Sequence, residues 1–201
     1  MHIRTRGYLP HIFQPNSIYF VTFRLADSLP AAVLLKCKEK AQSRAFDHSD
    51  KRVNYRYQRA VQDYLDTSNG DCWLKKPEIA FMVNNAIRYF NNQRYELLVW
   101  TIMPNHVHVL FKLLGDISVS SILHSWKSFT SKEANKILNR TGEFWQREYF
   151  DILARSERQL EFFLRYVLNN PVKAGLCKQI FQWPWTGCSE EMQAIARKFF
   201  L

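Results

Sequence analysis

Two hydrophobic periods alternate along this chain, one of two residues and one near 3.6, and their order predicts its elements. Residues 17–25 (SIYFVTFRL) are rich in β-branched and aromatic side chains and predict a first strand. Pro30 opens a helix that runs toward Arg44. From 47 to 69 the chain turns strongly polar, with helical spacing over 55–65, which predicts a helical excursion outside the sheet. Pro77 opens another helix, whose Ile79, Val83, Ala86, Ile87 and Phe90 form one apolar stripe. Residues 95–103, apolar at their centre, predict a second strand, and the turn at Pro104-Asn105 pairs it antiparallel with residues 106–113. Ser118 caps a long helix through Leu138, and residues 143–153 hold a fourth strand. Ser156 caps the next helix, which Asn170-Pro171 ends, because a residue before proline is pushed out of the α region.

The strand at 106–113, HVHVLFKL, carries the first candidate chemistry. Side chains two apart in a strand leave the same face, so His106 and His108 can meet one metal ion or one substrate group. Two solvent-facing strand histidines would produce the same spelling. The helix after Ser156 carries the second candidate. Tyr166 and Asn170 are four apart and share a helical face. A tyrosine can act as a covalent nucleophile, and an amide oxygen can join two imidazoles around a divalent ion. Without the histidines, Tyr166 also fits an ordinary position on an amphipathic helix.

Composition narrows the setting. A chain of 201 residues, 47% apolar, fits one domain with a sizeable core. No stretch reaches the roughly 18 apolar residues of a membrane span, and no apolar run follows the charged first residues as in a secretory signal. Cys37, Cys72, Cys177 and Cys188 are widely spaced, which argues against a zinc knuckle and predicts reduced thiols in a cytoplasm. The net charge of +10 is spread as +3, +3, +2 and +2 over successive quarters, so the excess belongs to the folded surface and not to a tail. Such a surface attracts polyanions, nucleic acid first among them. Aromatic residues beside basic ones, as in Tyr55-Arg-Tyr57 and Arg165-Tyr166, are suited to stacking unpaired bases, although most of the aromatics belong to the core.

Three motifs in order, Met103-Pro-Asn-His-Val-His108, Trp145-Gln-Arg-Glu-Tyr-Phe-Asp151 and Tyr166-Val-Leu-Asn-Asn-Pro-Val-Lys-Ala-Gly-Leu176, resemble those of the REP-associated tyrosine transposases. These are single-tyrosine HUH nucleases of the IS200/IS605 type, and the resemblance covers roughly residues 19–185. It implies that His106 and His108 are the HUH histidines, Tyr166 the nucleophile and Asn170 the third metal ligand, with Mg²⁺ or Mn²⁺ as the cofactor. It also implies a metal-dependent single-stranded DNA endonuclease and strand transferase that acts at hairpins through a 5′-phosphotyrosine, as a monomer or homodimer in a bacterial cytoplasm.

The implied fold is α+β, a ferredoxin-like antiparallel sheet of four or five strands with helices on one face. The chain is expected to be one domain, with an insertion at about 47–69. Lys127, Arg165 and Lys173 are candidate DNA contacts, and neither a membrane nor a small-molecule substrate is expected. Tyr149 is a weaker nucleophile candidate because no amide follows it by four residues. Trp183 and Trp185 are expected to pack the C-terminal segment on the sheet, and His124 to be a structural helix residue. His2, His11 and His48 have no partner in the pattern. A non-catalytic hairpin-binding module and a water-using phosphodiesterase or ribonuclease are the competing readings.

Overall fold

The structure, a computed structural model, describes residues 2–6, 9–43 and 52–200. A two-stranded hairpin, β1 (His2–Arg6) and β2 (Leu9–Phe13), comes first and forms a sheet of its own, with β2 lying near the strand Phe150–Leu153 of the main sheet. It is followed by β3 (Ile18–Arg24), α1 (Ala31–Gln42), α2 (Arg52–Leu65), a 3₁₀ turn at Trp73–Lys75, α3 (Pro77–Arg88), β4 (Tyr95–Ile102) and β5 (His106–Leu113). Then come α4 (Val119–Ile137), β6 (Phe150–Leu153), α5 (Glu157–Lys173), β7 (Thr186–Cys188) and α6 (Glu190–Phe200). Pro30 stands at the start of α1, as expected; the helix closes at Gln42, and Arg44 and His48 lie outside the described residues.

The main sheet has the order β6-β3-β5-β4-β7, with every neighbouring pair antiparallel. The stretch β3-α3-β4-β5-α4-β6 is a βαββαβ unit, and α3 and α4 cover one face of its sheet in a ferredoxin-like α+β arrangement. Tyr95, Phe111 and Trp126 fill that face. Their polar atoms are satisfied in a chain: the Trp126 indole donates to Tyr95 Oη at 2.9 Å, and Tyr95 Oη donates to the Ile87 carbonyl at 2.6 Å. The opposite face carries α5 and α6, which bury Phe163, Leu164, Val167 and Met192 against Phe20 and Leu110.

Two expectations change. The fourth strand is short, Phe150–Leu153 in place of 143–153, with a single bridge between Leu25 and Trp145 upstream. Helix α5 does not stop at Asn170-Pro171 but runs to Lys173 with Pro171 inside it. A proline removes only its own donor, and the Pro171 carbonyl still accepts from Leu176 at 2.9 Å. The pre-proline bias at Asn170 yields to burial of that side chain under the sheet.

The C-terminal segment packs as expected. The Trp183 indole donates to the Ile102 carbonyl at 2.8 Å, Trp185 packs against the core, and β7 adds the fifth strand beside β4. Gly187 is needed there because the Trp100 ring lies where any Cβ would stand.

Candidate active site

Strand β5 runs between β3 and β4, so its residues are the most enclosed in the sheet. The register sets Thr22 and Thr101 on either side of His108, after a bulge at Leu97/Val99 re-phases β4. His106 and His108 are fully buried on the α5 face, with their Nε2 atoms 3.0 Å apart. Around them stands a shell that fixes their protons. Asn105 Nδ2 donates to the Asn69 carbonyl at 2.8 Å, which leaves Asn105 Oδ1 to accept from His106 Nδ1 at 2.7 Å. His106 therefore presents an Nε2 lone pair. His108 Nδ1 lies 2.7 Å from Thr22 Oγ1, and its Nε2 accepts from Asn170 Nδ2 at 3.3 Å, which selects the same tautomer.

Burial keeps both rings neutral. It lowers the His106 pKa to about 3 and pushes that of His108 well below the usual histidine value, with the charges of His106 and Lys173 acting the same way on His108. Neutral imidazoles are the ligand form of histidine.

Helix α5 supplies the facing side chains. Ser156 Oγ caps it by accepting from the Gln159 amide, and its apolar stripe turns Tyr166, Asn170 and Lys173 toward the histidines and α2. The Tyr166 ring meets that of His108 edge to face at 5.2 Å and that of Phe20 at 5.7 Å. Its hydroxyl makes a long hydrogen bond, 3.4 Å, to Gln62 Oε1. Burial first, then the charges of Asp66 and Asp63, raise the Tyr166 pKa above the ordinary phenol value, so the resting group is a protonated phenol. Asn170 is 1% exposed, and its Oδ1 has no hydrogen-bond partner.

The polar excursion also contributes. Helix α2 presents Gln62 and Asp63, and Asp66 follows just past its end. Lys173 Nζ donates to Asp63 Oδ1 at 3.0 Å and to Asp66 Oδ2 at 2.8 Å. Asp66 Oδ1 lies 3.9 Å from His106 Nε2, and because that imidazole is neutral the approach is not an ion pair. Desolvation raises the Asp66 pKa, against the pull of Lys173.

His106, His108, Tyr166 and Asn170 thus come together. Lys173 joins them through Asp66, and Arg165 lines the cleft beside Tyr166 with its guanidinium 5.2 Å from the Phe199 ring. Lys127 is a tie instead, donating to the carbonyls of Gln146 at 2.6 Å and Arg147 at 2.8 Å; burial lowers its pKa to about 8. Tyr149 packs against the cluster under α3 and α4, and His124 is exposed on α4. His48 and the side chains of His2 and His11 lie outside the description.

Four participants escaped the sequence reading: Thr22, Asn105, Gln62 and Asp66. Asn105 was visible as the residue before the first histidine, where it looked like turn chemistry. Gln62 and Asp66 sat in a polar stretch with no local mark of what it faces.

A divalent ion suits these donors. Two ligands about 2.1 Å from an ion and at right angles to each other stand about 3.0 Å apart, the separation of the two Nε2 atoms. The Asn170 oxygen, without a donor, could serve as a third neutral ligand if its amide turned.

Residues 73–170 match the family profile described as "Transposase IS200 like", a span that contains both histidines and Tyr166 and ends on Asn170. A REP-associated tyrosine transposase of Escherichia coli K12 is 26% identical over 107 residues, which are 52% of this chain and 62% of that protein. A Haemophilus influenzae protein named for the same group is 26% identical over 110 residues, 50% of this chain and 62% of that protein. The matched region is thus under two thirds of either relative. In fold, the chain is similar to a REP-associated tyrosine transposase solved bound to a REP hairpin, with a TM-score of 0.55 and 18% identity over 98% of this chain and 89% of that one. Over its histidine, tyrosine and asparagine region, this chain is similar to the IS200-like transposases.

Proposed function

We propose that this chain is a single-tyrosine HUH transposase: a metal-dependent, single-strand DNA endonuclease and strand transferase that works beside hairpins and uses Tyr166 as its nucleophile. One observation carries the reading. The buried Nε2 lone pairs of His106 and His108 meet at 3.0 Å, with only a long bond from the Asn170 amide to His108 and with the Asn170 oxygen unpartnered, one helical turn from a tyrosine. Those three residues would hold Mg²⁺ or Mn²⁺, which when bound supplies the charge that a crowded phosphodiester needs in its transition state.

The covalent step belongs to Tyr166. Its oxygen attacks phosphorus in line, a new P–O bond forms, and the bond from phosphorus to the 3′ oxygen breaks with its electron pair leaving on that oxygen. The phenol loses a proton and the departing oxygen gains one, which yields a 5′-phosphotyrosine and a free 3′-hydroxyl. Another 3′-hydroxyl reverses the step, so bond energy is conserved and no nucleotide cofactor is needed. The Tyr166 ring is held by His108 and Phe20, which limits the phenol to a narrow arc.

DNA would enter through a cleft of ≈ 530 Å³ lined by Arg158, Phe162, Arg165 and Lys173 along with Tyr166 and Asn170. Phe162 is 56% exposed and nearly parallel to the Tyr166 ring at 6.3 Å, a platform on which an unpaired base can stack.

The test uses labelled hairpin DNA with a single-stranded flank and Mn²⁺. The protein should cut it, and Tyr166→Phe and His108→Ala should each abolish cutting while retaining hairpin binding. Cutting that survives in Tyr166→Phe moves the case to a water mechanism. Binding without cutting by the unaltered protein leaves only a hairpin-binding module.

A further inference from the structure

Asp66 occupies an expensive position. It follows the last residue of α2, where the helix dipole disfavours a carboxylate, yet its side chain is only 7% exposed. Lys173 satisfies one oxygen, Oδ2. The other, Oδ1, is buried without a hydrogen-bond partner. A buried carboxylate oxygen with no donor is costly, and its neighbours make matters worse. His106 Nε2 at 3.9 Å offers a lone pair, and the ligand atoms of Asp66, His106 and His108 all lie within 4.8 Å of one another. Three acceptors face one point, with the orphaned Asn170 oxygen on a side chain that also meets His108. A cation satisfies all of them at once.

We infer that Asp66 is a ligand of the metal centre, which adds a carboxylate to a neutral site of two imidazoles and an amide. This rests on the reading of His106 and His108 as metal ligands. Asp66 lies outside residues 73–170, so the carboxylate comes from a part of this chain that the IS200-like match does not include.

One consequence follows from adding one negative charge, and a second from the imidazoles it joins. The ion binds before DNA arrives, because a protein carboxylate now does part of what the scissile phosphate would do. The site also favours Mn²⁺ over Mg²⁺, since imidazole nitrogen suits a transition ion better than a hard one that keeps its waters. Lys173 serves as the resting counter-ion of Asp66. Half exposed, its ammonium can leave for solvent or a phosphate when the metal enters.

The experiment is a Mn²⁺ titration without nucleic acid, followed by loss of the six-line electron paramagnetic resonance signal of the free aqua ion and by calorimetry. It compares the full chain with Asp66→Asn, His108→Ala and Lys173→Met. The full chain should bind one Mn²⁺, more tightly than Mg²⁺. Asp66→Asn should weaken Mn²⁺ by about tenfold or more, and His108→Ala by at least as much. Lys173→Met breaks the same ion pair but keeps the carboxylate, so it should bind Mn²⁺ as well as the full chain or better.

Unchanged affinity in Asp66→Asn beside a loss in His108→Ala overturns Asp66 as a ligand and leaves the histidine site standing. An equal fall in Lys173→Met and Asp66→Asn overturns it as well, since the effect is then packing of the α2 end. No Mn²⁺ binding by the full chain without DNA overturns the inference, while cleavage in the presence of DNA still decides the proposed function separately.

Discussion

The two faces of the central sheet differ in how they treat buried polar atoms. Under α3 and α4, Trp126 pairs with Tyr95, Tyr95 with Ile87 and Trp145 with Thr130 at 2.8 Å, although Trp73 Nε1 and Asn135 Oδ1 are left without partners. Under α5, the strand of the same sheet carries two imidazole nitrogens nose to nose, with an amide oxygen and a carboxylate oxygen left without donors. Folding alone gains nothing from the second arrangement. Unsatisfied buried groups are rare in native proteins, and several of them meeting at one point mark a place where a ligand completes the structure. One face stabilises the fold; the other stores unpaired acceptors for chemistry.

That contrast can be broken most forcefully on the apolar side. Trp126→Ala removes a side chain 2% exposed that touches Tyr95, Phe111 and Phe23, and it strips the Tyr95 hydroxyl of its donor. Chemical denaturation should show a loss of about 3–5 kcal/mol. Tyr166→Phe on the other face should cost under about 1 kcal/mol, because the bond of its hydroxyl to Gln62 is long. Equal losses would erase the distinction between the faces.

A milder probe is acid. His106 has a folded pKa of about 3 against 6.5 for the free side chain, so between those values the unfolded chain binds a proton that the folded chain refuses. Stability from this group is therefore full above pH 6.5 and declines as pH falls toward 3. Denaturation midpoints measured across that window should fall with acid, and His106→Asn should make the slope shallower, with the buried His108 retaining the rest. A slope unchanged in the variant would place the acid sensitivity elsewhere.

Much of this was readable in advance because it is local. Alternation marks His106 and His108 as sharing a face, helical spacing does the same for Tyr166 and Asn170, and the turn at Pro104-Asn105 ties β4 to β5. What was not readable depends on packing between distant segments. The helical excursion was legible as a helix, yet nothing in its own pattern says that Gln62 meets Tyr166 or that Asp66 meets His106, contacts that span 104 residues in the first case. The end of α5 was misjudged for the same reason. A local proline rule acts on Asn170, but burial beneath the sheet outweighs it and carries the helix on to Lys173. The N-terminal hairpin, 2–6 paired with 9–13, has no clear alternation of apolar and polar residues to mark it.

Whether Tyr166 makes the proposed covalent bond to DNA is decided by mass spectrometry of the trapped adduct. The protein is incubated with hairpin-bearing DNA and Mn²⁺, digested with nuclease and protease, and searched for a peptide carrying a residual nucleotide. A 5′-phosphodiester is expected on the peptide containing Tyr166 and absent from the Tyr166→Phe protein. A nucleotide on the peptide containing Tyr149, or cleaved DNA with no modified tyrosine, would contradict it.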